Sequence, residues 1–270
     1  MLYDSRSITA DEYEKEITVE GWAQEVRNLG GISFLILRDR YGVVQVTCPK
    51  KKIAPEVMQA VTSLSRESVV RVTGTVKPSA QVKAGYEVIP SAVQVMSAAQ
   101  TPLPMGVVDK VDVEAETRFN HRYMDLRKPE VRAVFEIKSL TMRLIDEYLA
   151  DNGFVEVFTP KLVASGAEGG STLFKVDYFG KPAYLAQSPQ LYKQMLMSTG
   201  LDRVFEIGPA FRAEPSDTAR HVSEFISFDG EMAHIDSQRD VMAMIEGCTQ
   251  FVISEIRERG KWALEAIGAE

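Results

Sequence analysis

The first hundred residues are dominated by short segments in which apolar and polar residues alternate. Residues 17–26, 33–37 and 43–47 show this alternation, and the turn sequences NLGG and DRYG separate them. Successive side chains of a strand point to opposite faces, so a period of two is typical of half-buried strands. Residues 69–76 and 86–96 predict two further strands. This part of the chain is therefore expected to be all-β.

A stretch compatible with a helix, near residues 55–65, falls between the third and fourth predicted strands. Five strands with a helix at that position suit a small closed barrel of the OB type, because closure removes exposed strand edges. Any small β-sandwich would also satisfy the pattern. The barrel is the favoured prediction for a domain at residues 1–100.

Residues 101–128 predict a connector, which opens with the sequence TPLP and ends in the charged stretch NHRYMDLRK. Apolar residues then recur at near-helical spacing up to Asn152. Pro129 suits the start of this helix, and Gly153 suits the position just past its end. The connector thus separates two differently patterned regions.

Short strand-like segments and two helices follow, at residues 187–198 and 237–259. Ser237 and Asp240 form a start signal for the second of these helices, and Gly260 marks its end. Because strand–helix–strand alternations are few, residues 129–270 are expected to form an antiparallel α+β domain. The fold class predicted for the whole chain is a multidomain α+β protein.

Composition excludes several classes of protein. The chain has 270 residues, 45% hydrophobic, with Lys+Arg 31 against Asp+Glu 38 and a net charge of −7. Two cysteines and three histidines are too few for a disulfide framework or a His-rich zinc site. No apolar run approaches the ~18–20 residues of a membrane span, and the N-terminus lacks an apolar signal core. We therefore expect a cytoplasmic protein.

The sequence FRAE at 211–214 follows a predicted strand, so Arg212 and Glu214 share one face of the extended chain. A polar stretch then leads to His221 and to a returning strand with Phe225. Such a hairpin could clamp a nucleotide, with the guanidinium on phosphate and the aromatic ring on the base. The alternative is a surface ion pair beside a core aromatic, which is common and energetically minor.

The same third of the chain contains more candidate ligand-binding residues. Glu168 lies beside two glycines and could bind an ammonium, while Ser188, Gln190 and Lys193 surround a predicted helix start. Alone, a lysine on a helix is usually solvated and Gly-Gly is usually a turn. Together with Arg212, these residues suit an amino acid with an additional carboxylate.

Several segments resemble the class II aminoacyl-tRNA synthetases. FRAE at 211–214, with Arg220, His221 and the segment FISFDGEM at 225–232, resembles motif 2. GFVEVFTP at 153–160 resembles motif 1. QSPQ at 187–190 followed by Lys193 is similar to the aspartate-binding segment of aspartyl-tRNA synthetases. RYMDLR and barrel residues 21–42 also resemble the archaeal and eukaryote-like branch of that family.

The resemblance implies roles for the candidate residues of the second domain. Arg212 is implied as the catalytic residue that bridges the substrate carboxylate and the ATP α-phosphate. The implied contacts to ATP are Arg212, Glu214, Arg220, His221, Val222 and Phe225, with Phe225 stacking on adenine. The implied contacts to aspartate are Glu168, Ser188, Gln190, Lys193 and Arg212.

In the barrel, the resemblance implies that Phe34, Gln45 and Arg27 contact the anticodon. Gln24 and Lys83 are implied to influence whether tRNA(Asn) is accepted as well as tRNA(Asp). Arg38 and Lys83 are further candidates for phosphate contacts. Without the resemblance, Phe34 would be an ordinary barrel residue.

The implied activity is that of an aspartate–tRNA ligase using ATP, Mg²⁺, L-aspartate and tRNA(Asp), in a homodimer with Pro160 near its interface. A desolvated Lys193 ammonium favours aspartate, since a neutral amide would leave its charge poorly compensated. Two alternatives are open: an asparaginyl-tRNA synthetase, and a non-catalytic tRNA-binding protein that uses only the OB barrel.

The third motif of class II synthetases and its metal ligands have no counterpart between Met232 and Glu270. No metal-binding residue is identifiable in this chain. We expect an incomplete catalytic domain, and the sequence leaves open whether the chain is truncated or a natural short form.

Overall fold

The computed structural model describes residues 2–108, 111–166, 173–214, 218 and 221–269. The chain divides into two compact units, Met1–Asp125 and Leu126–Glu270. Two candidate residues, Glu168 and Arg220, lie outside the described residues.

The first unit contains a six-stranded sheet that closes on itself. Its elements are β1 Leu2–Tyr3, β2 Glu16–Asn28, β3 Ile32–Arg38, β4 Val43–Pro49, α1 Pro55–Thr62, β5 Val69–Pro78 and β6 Tyr86–Ser97. The strand order is β1-β2-β3-β4-β6-β5, and β2 also pairs with β5. The predicted five strands, with a helix between the third and fourth, are confirmed as β2–β6 and α1. The short β1, parallel to β2, was not predicted.

Alternate residues of these strands form the barrel core, as the period of two requires. Leu35 and Leu37 of β3 and Val44 and Val46 of β4 are completely buried. A Cβ added to Gly74 would lie 2.3 Å from the backbone oxygen of Ile89. The strands can approach this closely only because a glycine stands there.

Two short helices follow the barrel, α2 Ala115–Asn120 and α3 Arg122–Asp125, in the segment that the sequence assigned to a connector. Asp125 is completely buried and accepts hydrogen bonds from the guanidinium groups of Arg118 and Arg122. These helices were not predicted, because two turns of helix are too short for a periodic signal.

The helices of the second unit are α4 Pro129–Asp151, α5 Gln190–Met197, α6 Gln238–Arg259 and α7 Lys261–Ile267. Pro129 begins α4 and Gly153, at φ +78°, follows its end, as predicted. Ser237 and Asp240 form the predicted capping box of α6. The helix predicted from residue 187 instead begins at Gln190, because Pro189 occupies its N-cap. Gly260 does end α6, but α7 follows at once.

The second unit has two three-stranded sheets. Their strands are β7 Val155–Glu156, β8 Leu162–Val163, β9 Lys175–Tyr178, β10 Lys181–Leu185, β11 Arg203–Phe211 and β12 Glu224–Met232. The orders are β12-β11-β7 and β8-β10-β9. Phe205 of β11 packs with Leu149 and Phe154 in a core beneath the first of these sheets. The opposite face of the β11–β12 hairpin is therefore available to carry a site.

Candidate functional site

One face of the β11–β12 hairpin collects the polar residues of motif 2. Ala210 pairs with Phe225 and Glu206 pairs with Asp229. Directly opposed residues of an antiparallel pair share a face. Arg212 continues the row of Glu206 and Ala210, and its backbone N–H donates to the oxygen of Ser223 at 3.0 Å. Arg212, Phe225, Glu206 and Asp229 therefore lie on one face of the hairpin, which we call the hairpin face.

Arg212 and Phe225 are brought together at one end of the hairpin face. The guanidinium carbon of Arg212 lies 5.4 Å from the centroid of the Phe225 ring, within the range of a cation–π contact. The backbone N–H of Glu214 donates to the oxygen of Arg212 at 2.8 Å. This end of the face presents a fixed cation beside an aromatic ring, which is a suitable arrangement for a phosphate attached to a flat base.

Lys193 lies at the other end of the hairpin face. Its ammonium donates to the backbone oxygen of Gly230 at 3.1 Å. It also lies 3.4 Å from Oε2 of Glu231 and 3.7 Å from Oδ1 of Asp229. The Lys193 side chain is only 5% exposed. Its acidic neighbours were not predicted as its partners, because the sequence does not show that α5 packs on β12.

The two ends are separated along β12. Phe225 and Asp229 are four residues apart, which at ~3.4 Å per residue amounts to about 14 Å. Arg212 and Lys193 thus border one face from opposite ends. An elongated ligand with a charged group at each end could contact both.

Glu206 lies opposite Asp229, at the Lys193 end of the hairpin face, and is 3% exposed. It accepts hydrogen bonds from the backbone N–H of Thr159 at 3.1 Å and from its hydroxyl at 2.7 Å, and the Lys161 ammonium is 2.8 Å away. A Cβ added to Gly208 would lie 3.2 Å from Oε1 of Glu206, so this part of the face admits no side chain without movement. Glu206 was not predicted as a site residue, although it follows the buried Phe205 in a strand and must therefore point to the opposite face.

The remaining predicted residues of this unit are less closely grouped. Ser188 and Gln190 are half-buried at the start of α5. His221 and Val222 are exposed, and Nδ1 of His221 lies 2.7 Å from the hydroxyl of Thr218. No contact in the described part of the chain joins His221 to Arg212.

The predicted anticodon residues share the outer face of the barrel. Phe34 pairs with Arg27 on one side and Thr47 on the other, and Ile36 pairs with Gln45. Because Leu35 is buried in the core, Phe34 and its partners point outward. We call this set of residues the barrel face.

Arg27 is anchored to the barrel face by Glu25. Nη2 of Arg27 donates to Oε2 of Glu25 at 2.7 Å. This hydrogen bond lowers the pKa of Glu25 and raises the pKa of Arg27. Both groups therefore stay charged over a wide range of pH.

Glu87 is an acidic residue of the barrel face that sequence reasoning missed. It accepts a hydrogen bond from the Thr47 hydroxyl at 2.7 Å and from the Gln45 amide at 3.4 Å. The contact depends on the parallel pairing of β4 with β6, which no local pattern predicts. Lys83 is exposed in the connection between β5 and β6.

The position of Arg38 contradicts its predicted contact with a phosphate. Its guanidinium donates to both carboxylate oxygens of Glu67, at 3.0 and 2.8 Å, and the two side chains are 6% and 4% exposed. The prediction that Arg38 contacts a phosphate is therefore wrong, because its guanidinium is buried and paired with Glu67.

The family model described as "tRNA synthetases class II (D, K and N)" matches residues 114–266, more than half of the chain. The chain belongs to this family. A second family model, the "OB-fold nucleic acid binding domain", matches residues 17–96 and confirms the OB-type barrel.

Relatives within the synthetase family carry names that refer to aspartate. The chain is 47% identical to the aspartate–tRNA(Asp) ligase of Pyrococcus horikoshii, over 98% of this chain and 61% of that protein. It is 48% identical to the aspartate–tRNA(Asp/Asn) ligase of Methanopyrus kandleri, over 100% of this chain and 63% of that protein. The chain thus spans less than two thirds of the length of these relatives.

The fold is also similar to that of a solved synthetase with another amino acid. The asparaginyl-tRNA synthetase of Pyrococcus horikoshii, complexed with asparaginyl-adenylate, superimposes with a TM-score of 0.89 at 32% identity. The match covers 96% of this chain and 59% of that one. Aspartate and asparagine enzymes of this family share the fold, so the choice between them depends on side chains.

The described residues contain no group of three or more His, Cys, Asp or Glu side chains that could hold a metal ion. None of their helices is long and apolar enough to cross a membrane.

Proposed function

We propose that the chain forms the anticodon-binding barrel and the amino-acid-activating site of an aspartate–tRNA ligase. In this proposal the barrel is at residues 1–100, a connector is at 101–128 and the catalytic domain is at 129–270. One observation carries the proposal: the hairpin face has Arg212 over Phe225 at one end and the buried Lys193 at the other. The names of relatives at 47% and 48% identity support it.

The proposed reaction has two steps. An oxygen of the aspartate α-carboxylate attacks the α-phosphorus of ATP, and the bond to the departing pyrophosphate breaks, which leaves aspartyl-adenylate. A ribose hydroxyl at the 3′ end of tRNA(Asp) then attacks the activated carbonyl, loses its proton, and AMP leaves. Arg212 offsets the negative charge that develops in the first step, and orientation supplies much of the remaining acceleration.

Substrate selection is assigned to Lys193 at the far end of the hairpin face. The carboxylate of an aspartate side chain would form a charge-assisted hydrogen bond with this buried ammonium, which is stronger than the bond that the neutral amide of asparagine could form. Ser188, Gln190 and Glu168 are proposed as further aspartate contacts, and Glu214, Arg220, His221, Val222 and Phe225 as ATP contacts.

Magnesium accompanies ATP in this family. The described residues hold no cluster of three potential metal ligands, so no residue of this chain is assigned to the ion.

The barrel is proposed to bind the tRNA anticodon, with Phe34 stacking on a base and Gln45 and Arg27 contacting the loop. Stacking on an aromatic ring in a basic groove is the usual mode of OB folds. Gln24 and Lys83 are proposed to decide whether tRNA(Asn) is accepted too. The name of the Methanopyrus relative refers to both tRNAs.

A homodimer in the cytoplasm completes the proposal. Val134 and Phe135 of α4 and Phe158 near motif 1 are large apolar residues with exposures of 54%, 46% and 79%. Exposed apolar side chains of this size, one of them near Pro160, support pairing with a second copy. Sedimentation equilibrium tests this: a monomer at micromolar concentration would contradict it.

Calorimetric titration of the chain with two non-hydrolysable analogues, aspartyl- and asparaginyl-sulfamoyl adenosine, separates the candidate functions without requiring catalysis. We expect the aspartyl analogue to bind about tenfold or more tightly than the asparaginyl one. Tighter binding of the asparaginyl analogue would favour an asparaginyl-tRNA synthetase. Binding of tRNA but of neither analogue would favour a non-catalytic tRNA-binding protein.

A further inference from the structure

Gln24 is the extra residue of a β-bulge in β2. Ala23 pairs with Leu37 and Glu25 pairs with Ile36, so the register skips Gln24. Bulges redirect side chains and are frequent beside functional sites. Oε1 of Gln24 lies 3.5 Å from Nη1 of Arg38.

Arg38 stands on the same outward row of β3 as Phe34 and Ile36, because the alternating residues Leu35 and Leu37 are buried. Gln24 contacts Arg38 and therefore borders the barrel face near Ile36. The bulge places its amide at the end of the surface on which Phe34 lies.

Arg38 is held in one orientation by Glu67. The two side chains form a bidentate pair that is almost completely buried, and such a fork fixes the plane of the guanidinium. Glu67 adopts φ +66°, in the left-handed region, which is a strained conformation for a non-glycine residue. Its backbone N–H donates to the oxygen of Ala23 at 2.8 Å, which ties this loop to the bulge.

This arrangement determines which end of the Gln24 amide faces outward. The guanidinium group has only hydrogen-bond donors, so the Gln24 atom that faces Arg38 must be its carbonyl oxygen. The NH₂ group is then directed away from Arg38 and can act only as a donor. Without Arg38, the amide could rotate and offer either its oxygen or its nitrogen.

We propose that Arg38 and Glu67 are positioning residues that fix Gln24 as a hydrogen-bond donor toward an anticodon base, and so contribute to discrimination between tRNA(Asp) and tRNA(Asn). The inference rests on the proposed anticodon-binding function of the barrel. The two anticodons, GUC and GUU, differ in their last base. N3 of cytosine is an acceptor, whereas N3 of uracil carries a hydrogen and the acceptors of uracil are O2 and O4. A fixed donor directed at N3 therefore favours cytosine.

The test measures binding of the 270-residue chain to two fluorescently labelled anticodon stem–loop RNAs, one ending in C and one in U, by anisotropy. The unaltered chain is expected to prefer the C hairpin by about fivefold. The double variant Arg38→Met with Glu67→Leu replaces the buried pair by apolar side chains, a change that folds normally tolerate. Its preference is expected to fall to about twofold or less.

Gln24→Ala should lower the preference by the same factor, and adding it to the double variant should change nothing further, because both act through one group. The matched control is Arg71→Met with Glu20→Leu, which removes a more exposed Arg–Glu pair of the same barrel. That control should keep the full preference for the C hairpin.

If circular dichroism shows that the double variant does not fold, Arg38→Lys provides the second test. A lysine keeps the charge opposite Glu67 but replaces the planar fork by one ammonium, so the preference should again fall. A folded variant of either kind that retains the unaltered preference overturns the inference, and so does equal binding of both hairpins by the unaltered chain. Binding of neither hairpin overturns the proposed anticodon function and the inference with it.

Discussion

The ammonium of Lys193 lies 3.4 Å from Oε2 of Glu231, with its side chain 5% exposed. The lysine comes from α5 and the glutamate from β12, so this pair fastens the helix to the hairpin face. Asp229 contributes a second carboxylate at 3.7 Å. One buried cation thus holds two acidic groups that would otherwise repel each other.

Lys193→Met should destabilise the second unit by about 2 kcal/mol, because it leaves the two partly exposed carboxylates without a counter-charge. Urea denaturation followed by the fluorescence of Trp262, the tryptophan of this unit, measures the change. Lys261→Met, which removes an exposed ion pair with Glu258, is the control and should have little effect. Equal stability of Lys193→Met and the unaltered chain would contradict the role given to this ammonium.

Glu206→Ala should lower the free energy of unfolding by about 3 kcal/mol, more than Lys193→Met does. The substitution leaves the Lys161 ammonium and the two Thr159 donors without their acceptor. The comparison is Glu147→Ala, whose partner Arg259 is 42% exposed. We expect that control to change the free energy of unfolding by less than about 0.5 kcal/mol. A similar loss in both variants would show that burial of Glu206 has no energetic consequence.

Gly74→Ala should destabilise the barrel by about 2 kcal/mol or more, because its Cβ would lie 2.3 Å from the oxygen of Ile89. Gly31→Ala is the matched control, since an added Cβ there meets nothing within 4 Å. Denaturation followed by Trp22 fluorescence reports on the barrel. An unchanged free energy of unfolding for Gly74→Ala would mean that β5 and β6 do not approach each other this closely.

Burial raises the pKa of the Cys48 thiol to about 11. At pH 8 the folded chain should therefore react with a thiol-specific disulfide reagent far more slowly at Cys48 than the chain unfolded in urea. The folded pKa lies above the unfolded value, so the folded state binds more protons above pH 9. Stability should accordingly fall as pH rises from about 9 to about 11. Cys48→Ala should weaken this alkaline loss, and an unchanged loss would exclude the thiol as its source.

Local patterns in the sequence predicted much of the fold. Alternation located the barrel strands, and Pro129, Gly153 and Ser237 marked helix ends through backbone preferences that act within a few residues. The fold class and the family resemblance were confirmed. The site roles stay predictions, and Glu168 and Arg220 lie outside the described residues.

Contacts between distant segments were the part that the sequence could not predict. Glu87 meets Thr47 only because β4 pairs with β6, and Lys193 meets Glu231 only because α5 packs on β12. Strand register and helix placement depend on the whole core and leave no signature at the residues concerned. The buried Arg38 was misjudged for the same reason, since its partner lies 29 positions away.

We propose that a single face, from Phe225 to Glu231, holds an aspartyl-adenylate between Arg212 and Lys193. Hydrogen–deuterium exchange of the chain with and without saturating aspartyl-sulfamoyl adenosine measures this binding. We expect slowed exchange in peptides covering residues 187–193 and 225–231, with the barrel peptides unchanged. Slowed exchange confined to other segments, or none with the analogue bound, would contradict it.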